Sequence, residues 1–157
     1  EVFVTVTAPE GIDGMTWSAV FVETEPRIVE QGGTRVLSIY RTAVKVLVTS
    51  LGTAERNGEV TQVRATATDP LTIETTFVNT GNVRLAVSGN IDVIDRTGAT
   101  VRRLTVEEFK VLPGATRVVY LTDDEATPLA PGVYQAVVSL DFGGDNPVVG
   151  VRGFRVR

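Results

Sequence analysis

The chain has 157 residues, 15 Lys plus Arg against 19 Asp plus Glu, and a formal net charge of −4 at pH 7. It holds no Cys and no His, which excludes a disulfide framework, His-ligated metal sites and imidazole acid–base catalysis together. Its cations are 13 Arg and 2 Lys without a clustered run, so the basic face that a nucleic-acid binder needs to displace counterions from phosphate is missing.

Val, Thr and Ile fill 28, 21 and 6 positions. Side chains branched at Cβ are stiff at χ1 and sit well on a pleated surface, so the composition predicts strands rather than helices. Taken in chain order, an alternating run at 2–7 ends in the turn Ala8-Pro9-Glu10-Gly11, and a second run at 15–23 stops before Pro26. After Gly32-Gly33 one long extended run covers 35–49, and the polar, Gly-bounded stretch 52–58 reads as a linker. Strands resume at 60–68, 71–78, 85–94, 100–106, 117–121, 133–141 and 148–156. Between them lie Asn79-Thr80-Gly81-Asn82, Asp95-Arg96-Thr97-Gly98, Pro113-Gly114, Pro131-Gly132 and Gly143-Gly144-Asp145-Asn146, the residue types that turns demand. Residues 107–109 alone have a helix-like look. Seven short strands over about 100 residues, with a turn signal after each, predict an all-β sandwich. No stretch approaches the roughly 20 apolar residues that span a bilayer.

An internal echo bears on the domain plan. Pro9-Glu10-Gly11-Ile12-Asp13-Gly14-Met15-Thr16-Trp17-Ser18-Ala19-Val20 parallels Pro128-Leu129-Ala130-Pro131-Gly132-Val133-Tyr134-Gln135-Ala136-Val137: a Pro/Gly turn, an aromatic, then Ala-Val. The pattern resembles the corner at which the penultimate strand of an immunoglobulin-like module begins. The expectation is then that residues 1–51 are the C-terminal strands of a first, incomplete immunoglobulin-like module. Residues 52–58 link it to a complete immunoglobulin-like β-sandwich at 59–157, and more chain is expected upstream. In that reading Trp17 packs in the core or at a corner, and Tyr134 packs at a corner with its hydroxyl bonded to backbone.

The stretch Val36-Leu37-Ser38-Ile39-Tyr40-Arg41-Thr42-Ala43-Val44-Lys45-Val46-Leu47-Val48 resembles the last strand of the first domain of periplasmic pilus-assembly chaperones. Ala19-Val20-Phe21-Val22-Glu23-Thr24-Glu25-Pro26 is similar to the strand before it. Phe77-Val78-Asn79-Thr80-Gly81-Asn82 and Pro131-Gly132-Val133-Tyr134 equally resemble immunoglobulin-like repeats of bacterial cell-surface proteins. The chaperone resemblance implies an edge strand lent to a partner polypeptide, alternate side chains filling the partner's groove. By position those side chains are Val36, Ser38 and Tyr40, and Lys45 matches the lysine that grips a terminal carboxylate. Ser38 is polar where that family places a large apolar residue. Read from the residues alone, 35–49 is a long strand with Lys45 solvated.

Catalytic and metal sites are not expected. Glu107 and Glu108 are adjacent, so a regular strand sends them to opposite faces, while Asp92 and Glu74 fall inside strands on faces expected to be solvated. Asp123-Asp124-Glu125 and Asp141, Asp145 and Asn146 lack the alternating spacing of a calcium loop and are ordinary turn residues. No cofactor is implied. The residues and the resemblance together lead to the expectation of a non-catalytic binding or assembly module of an exported bacterial protein, periplasmic or cell-surface, that pairs with another polypeptide at a strand edge. A strand-swapped or homo-oligomeric contact through residues 1–50 is one form of that pairing. The alternative is a structural spacer or stalk domain of a surface protein or filament.

Overall fold

In a computed structural model that describes residues 3–125 and 127–157, the chain folds entirely as antiparallel β-structure. In chain order the strands are β1 (Met15–Glu23), β2 (Arg27–Gln31), β3 (Thr34–Ser38), β4 (Arg41–Thr49), β5 (Gly58–Thr68), β6 (Leu71–Asn79), β7 (Leu85–Ile94), β8 (Thr100–Val111), β9 (Thr116–Thr122), β10 (Gly132–Asp141) and β11 (Val148–Val156). No helix occurs among the described residues, so none is long and apolar enough to cross a membrane.

Strands β5 to β11 make two sheets, one ordered β11-β10-β7-β8 and the other β5-β6-β9. Side-chain alternation explains why they face each other. On β10, Tyr134, Ala136, Val138 and Leu140 are buried while Gln135 and Asp141 are exposed. On β6 and β7, Leu71, Ile73 and Phe77 meet Leu85, Val87, Ile91 and Val93 in the same core. Phe77 sits between two further rings, 6.2 Å from Phe109 edge-on and 6.0 Å from Phe142. The sheets also close on one side, where β11 packs on β5. A Cβ on Gly150 would lie 2.6 Å from Val60 and 2.9 Å from Val63, so only glycine permits that approach.

The helix-like look of 107–109 has a physical origin. Leu104 and Val106 face the core, but so do Phe109 and Val111, which breaks the period of two. The strand absorbs the break as a β-bulge: Val106 pairs with Gly89 and Phe109 with Val87, so Glu107 and Glu108 together oppose a single residue and both are exposed. Strand β8 therefore runs on to Val111 rather than stopping at 106.

Two polar devices fix the ends of the sandwich. Tyr134, 8 % exposed, donates its hydroxyl to the Ala130 carbonyl at 2.8 Å and stacks on Phe154 at 5.8 Å, the corner arrangement expected of it. Asn79 is fully buried; its amide donates to the carbonyls of Val83 (2.8 Å) and Val111 (3.0 Å), and its oxygen accepts from the Gly81 amide. A third cluster closes the β9–β10 connection, where the Arg102 guanidinium bonds Asp123 at 3.0 Å and the Thr127 carbonyl at 2.6 Å.

Residues 15–49 form a separate structure, a long antiparallel ribbon. Strand β1 pairs with β4 along its full length, from Met15 opposite Thr49 to Glu23 opposite Arg41. The inner pair β2–β3 continues it to a tip at Gly32-Gly33, from Arg27 opposite Ser38 to Gln31 opposite Thr34. The expected single strand over 35–49 is thus broken at Ile39 and Tyr40, where the Thr24 amide donates to the Tyr40 carbonyl and the Tyr40 amide to the Thr24 hydroxyl. Residues 27–31 supply a strand that Pro26 had obscured. Residues 3–7 form none, although the run at 2–7 alternates; Val2 itself lies outside the described residues.

The expected linker is a docked segment. Asn82 holds both legs of the ribbon: its carbonyl accepts from the Met15 amide (2.8 Å), its side-chain oxygen from the Glu55 amide (2.7 Å), and its side-chain amide donates to the Thr53 carbonyl (2.9 Å) and Asp13 (3.3 Å). Gly14 packs on it at φ +70°, and a Cβ there would fall 2.3 Å from the Asn82 side chain. Both conformation and space require glycine.

Candidate functional site

The ribbon is the part of the molecule whose side chains contradict its surroundings. Trp17 and Phe21 are 54 % and 58 % exposed, and Val22, Ile28, Val29, Val36, Leu37, Ile39, Tyr40 and Val44 are exposed as well. Pairing register sorts the β1–β4 part into two faces. One carries Trp17 beside Leu47 and Phe21 beside Ala43; the other carries Val20 beside Val44 and Ser18 beside Val46. Neither face is polar throughout, whereas a sheet that lies on a core shows one apolar and one polar side. Trp17 was expected in a core or corner and is instead on open surface.

The ribbon's charges largely neutralise one another. Arg41 pairs with Glu23 and lies over the Phe21 ring, 5.5 Å from its centre, and Arg35 pairs with Glu30 at 3.2 Å near the tip. Lys45 makes no ion pair among the described residues.

Of the expected partner-binding residues, Val36 and Ser38 lie on one face of β3, opposite Val29 and Arg27 respectively. Tyr40 stands in the break, 72 % exposed. Lys45 is on β4 opposite Ala19, roughly 30 Å from Val36 at the usual 3.3 Å rise per residue. The four residues therefore lie on one leg of the ribbon but on no single strand. Trp17 and Phe21 were missed as surface residues. The signal for them was Ala19-Val20-Phe21-Val22 and Ala43-Val44, apolar without alternation, which marks a segment covered on both faces or open on both.

Both strand pairs are two-stranded sheets. Among the described residues the outer edges of β1, β2, β3 and β4 consequently carry backbone N–H and C=O groups with no strand beside them, the template on which another chain adds.

Elsewhere several charged side chains are engaged within the structure. Asp92, on the outer face of β7, binds the Arg103 guanidinium through two contacts of 2.6 and 3.1 Å, and this hydrogen bond is the main cause that holds Arg103 above its ordinary pKa. Glu74 lies on the outer face of β6 as expected, yet is only 8 % exposed because Gln62 and Arg64 cover it at 3.3 Å each. Asp141 caps the Gly143 amide and Asp95 its own turn. Among the described residues no three Asp or Glu side chains converge in a way that could hold a metal ion. An open cleft of about 440 Å³ between the 95–97 turn and Tyr134 is lined by Arg96, Arg155 and the turn Pro131-Gly132. Comparison with known protein families and with curated proteins finds no match.

Proposed function

We propose that this chain is a non-catalytic binding module that engages another polypeptide by strand-edge pairing along the ribbon of residues 15–49. The observation that carries the reading is the combination of open strand edges with exposed apolar side chains on both faces of one ribbon. An isolated two-stranded ribbon is marginal in water, and an apolar surface of this extent is what interaction sites present. We read the sandwich itself as immunoglobulin-like, on the strength of its three-plus-four strand division and of the Tyr134 hydroxyl turned back to Ala130. The resemblance of 19–26 and 36–48 to pilus-assembly chaperones adds an exported, extracytoplasmic setting to the proposal.

Hydrogen exchange tests it. A short peptide selected from a random display library panned on the protein is expected to be rich in alternating apolar residues and to slow exchange of amides along β1, β3 or β4. Protection confined to the sandwich overturns the reading, as does selection of the same peptides by a Trp17→Glu, Phe21→Glu double variant.

A second reading, a spacer or stalk domain, is favoured by the joint. Asn82 ties both ribbon legs to the sandwich through five hydrogen bonds, which suits a link that transmits force.

A further inference from the structure

We infer that the strand added at the ribbon is β1 of a second copy of this chain, paired antiparallel about Ala19; the inference rests on the strand-pairing reading above and names its partner.

The edges differ in charge. Strand β4 carries Arg41 and Lys45, and a lysine in the middle of an edge strand is the usual device that blocks sheet addition. Strand β1 has no charge from Met15 to Val22; its one carboxylate, Glu23, is already paired with Arg41. The open, unguarded edge is therefore β1. Sequence resemblance had pointed to the other leg, through Val36, Ser38, Tyr40 and Lys45.

Register then selects the occupant. Strand β1 has nine residues with Ala19 at its centre, and β4 has nine with Lys45 at its centre. Full-length antiparallel pairing of β4 with its copy would set Lys45 against Lys45, a like-charge pair that destabilises a ladder. The same operation on β1 sets Ala19 against Ala19, Ser18 against Val20 and Trp17 against Phe21 twice, with no like charges opposed. Cross-strand aromatic pairs are among the stronger stabilising contacts of a sheet. The two alanines at the dyad leave room for the rings that flank them.

The product is a four-stranded sheet β4-β1-β1-β4, which meets the strand number a free-standing sheet needs. Its aromatic face gains continuous rows: Leu47 and Trp17 of one copy run into Phe21 and Ala43 of the other. A two-fold pairing of this kind closes on itself, whereas β1 of one copy on β4 of the next would leave free edges and propagate into a fibre. Lys45 and Arg41 guard against that second arrangement.

The absence of cysteine makes the test direct. In an Ala19→Cys variant, directly opposed residues of an antiparallel pair stand about 4.5–5.5 Å apart between Cα atoms, within reach of a disulfide. Mild oxidation is expected to give a linked dimer at least tenfold faster than for Lys45→Cys on the opposite edge. Light scattering should show the unmodified protein at twice its 16.8 kDa, and Ala19→Lys, which brings two ammonium groups to the dyad, should return it to one. If Ala19→Lys disturbs folding, the two cysteine variants decide alone. Equal cross-linking rates, a monomer at all concentrations, or species larger than a dimer overturn the inference. A monomer whose β1 amides are still protected by a selected apolar peptide removes the second copy while leaving strand pairing intact; loss of that protection as well removes both.

Discussion

Thr75→Val should stabilise the protein, which is the reverse of what most core substitutions do. Thr75 lies at the centre of the three-stranded sheet, between Val63 and Val119, and is 4 % exposed. Its hydroxyl has no hydrogen-bond partner among the described residues. It borders a cavity of about 10 Å³ whose other walls are Phe77, Val106, Phe109, Val119, Leu121 and Leu140. That space is near the volume of one water, but a buried water needs two to four polar partners and only the Thr75 hydroxyl is there to hold it. The hydroxyl has thus lost its hydration without a replacement. Mutational data place that penalty at roughly 1–3 kcal/mol, and a methyl in its place adds about 0.8 kcal/mol of apolar burial.

Allowing for incomplete desolvation and a tight fit, a net gain of about 1–2 kcal/mol is expected, a rise in Tm of roughly 3–8 °C for a unit of this size. Calorimetry measures it. Thr75→Ser is the matched control, because it keeps the stranded hydroxyl and deletes the methyl, and it should melt below the parent. If Thr75→Val melts at or below the parent temperature, the hydroxyl has a partner and the reasoning is wrong.

Tyr134→Phe removes only the bond to Ala130 and should cost about 1 kcal/mol, whereas Tyr134→Ala also empties the ring site against Phe154 and should cost about 3–5 kcal/mol by chemical denaturation. Asn82→Ala should leave the melting of the sandwich near that of the parent while the Glu55 amide, which donates to the Asn82 side chain at 2.7 Å, exchanges about tenfold faster. The Asp95 carboxyl is held below its ordinary value of 3.8, first by the Thr97 hydroxyl and then by the Ala99 amide. A folded-state pKa below the unfolded one means that this turn's contribution is present above about pH 4 and fades as acid protonates the folded carboxylate. The 95–99 amides should therefore lose protection at low pH in the parent, and Asp95→Asn should flatten that dependence.

The sandwich was legible because its strands are covered on one face only. Leu71, Ile73, Thr75 and Phe77, or Tyr134, Ala136, Val138 and Leu140, are buried at every second position, with Thr75 the one polar exception, and Gly, Pro, Asn and Asp punctuate them. The reading failed where that period is broken or doubled. At Glu107 and Glu108 a bulge shifts phase by one residue, which strict alternation cannot anticipate. At 27–31 Pro26 looked like a terminator although it only separates β1 from β2 along one leg of the ribbon. Along 35–49 both faces are apolar, so nothing in the pattern marked the break at Ile39-Tyr40. Exposure was the harder failure. Trp17 and Tyr134 occupy matching places in the internal echo, yet Tyr134 is buried and Trp17 open. What separates them is the sheet stacked over Tyr134, which sequence periodicity does not encode.

That contrast bears on how the ribbon works. A surface intended only to avoid water would be expected to fold back on the sandwich, whose own outer strands expose Val118, Tyr120, Val149 and Val151. The joint opposes this. Asn82 clamps the incoming leg at Asp13 and Met15 and the outgoing leg at Thr53 and Glu55, and Gly14 fits against it with no room for a side chain. Holding both legs at one residue sets the direction of the ribbon where it leaves the sandwich. A ribbon held at both legs by Asn82 and the five residues that meet it leaves its apolar side chains uncovered by its own domain, as the proposed strand addition requires.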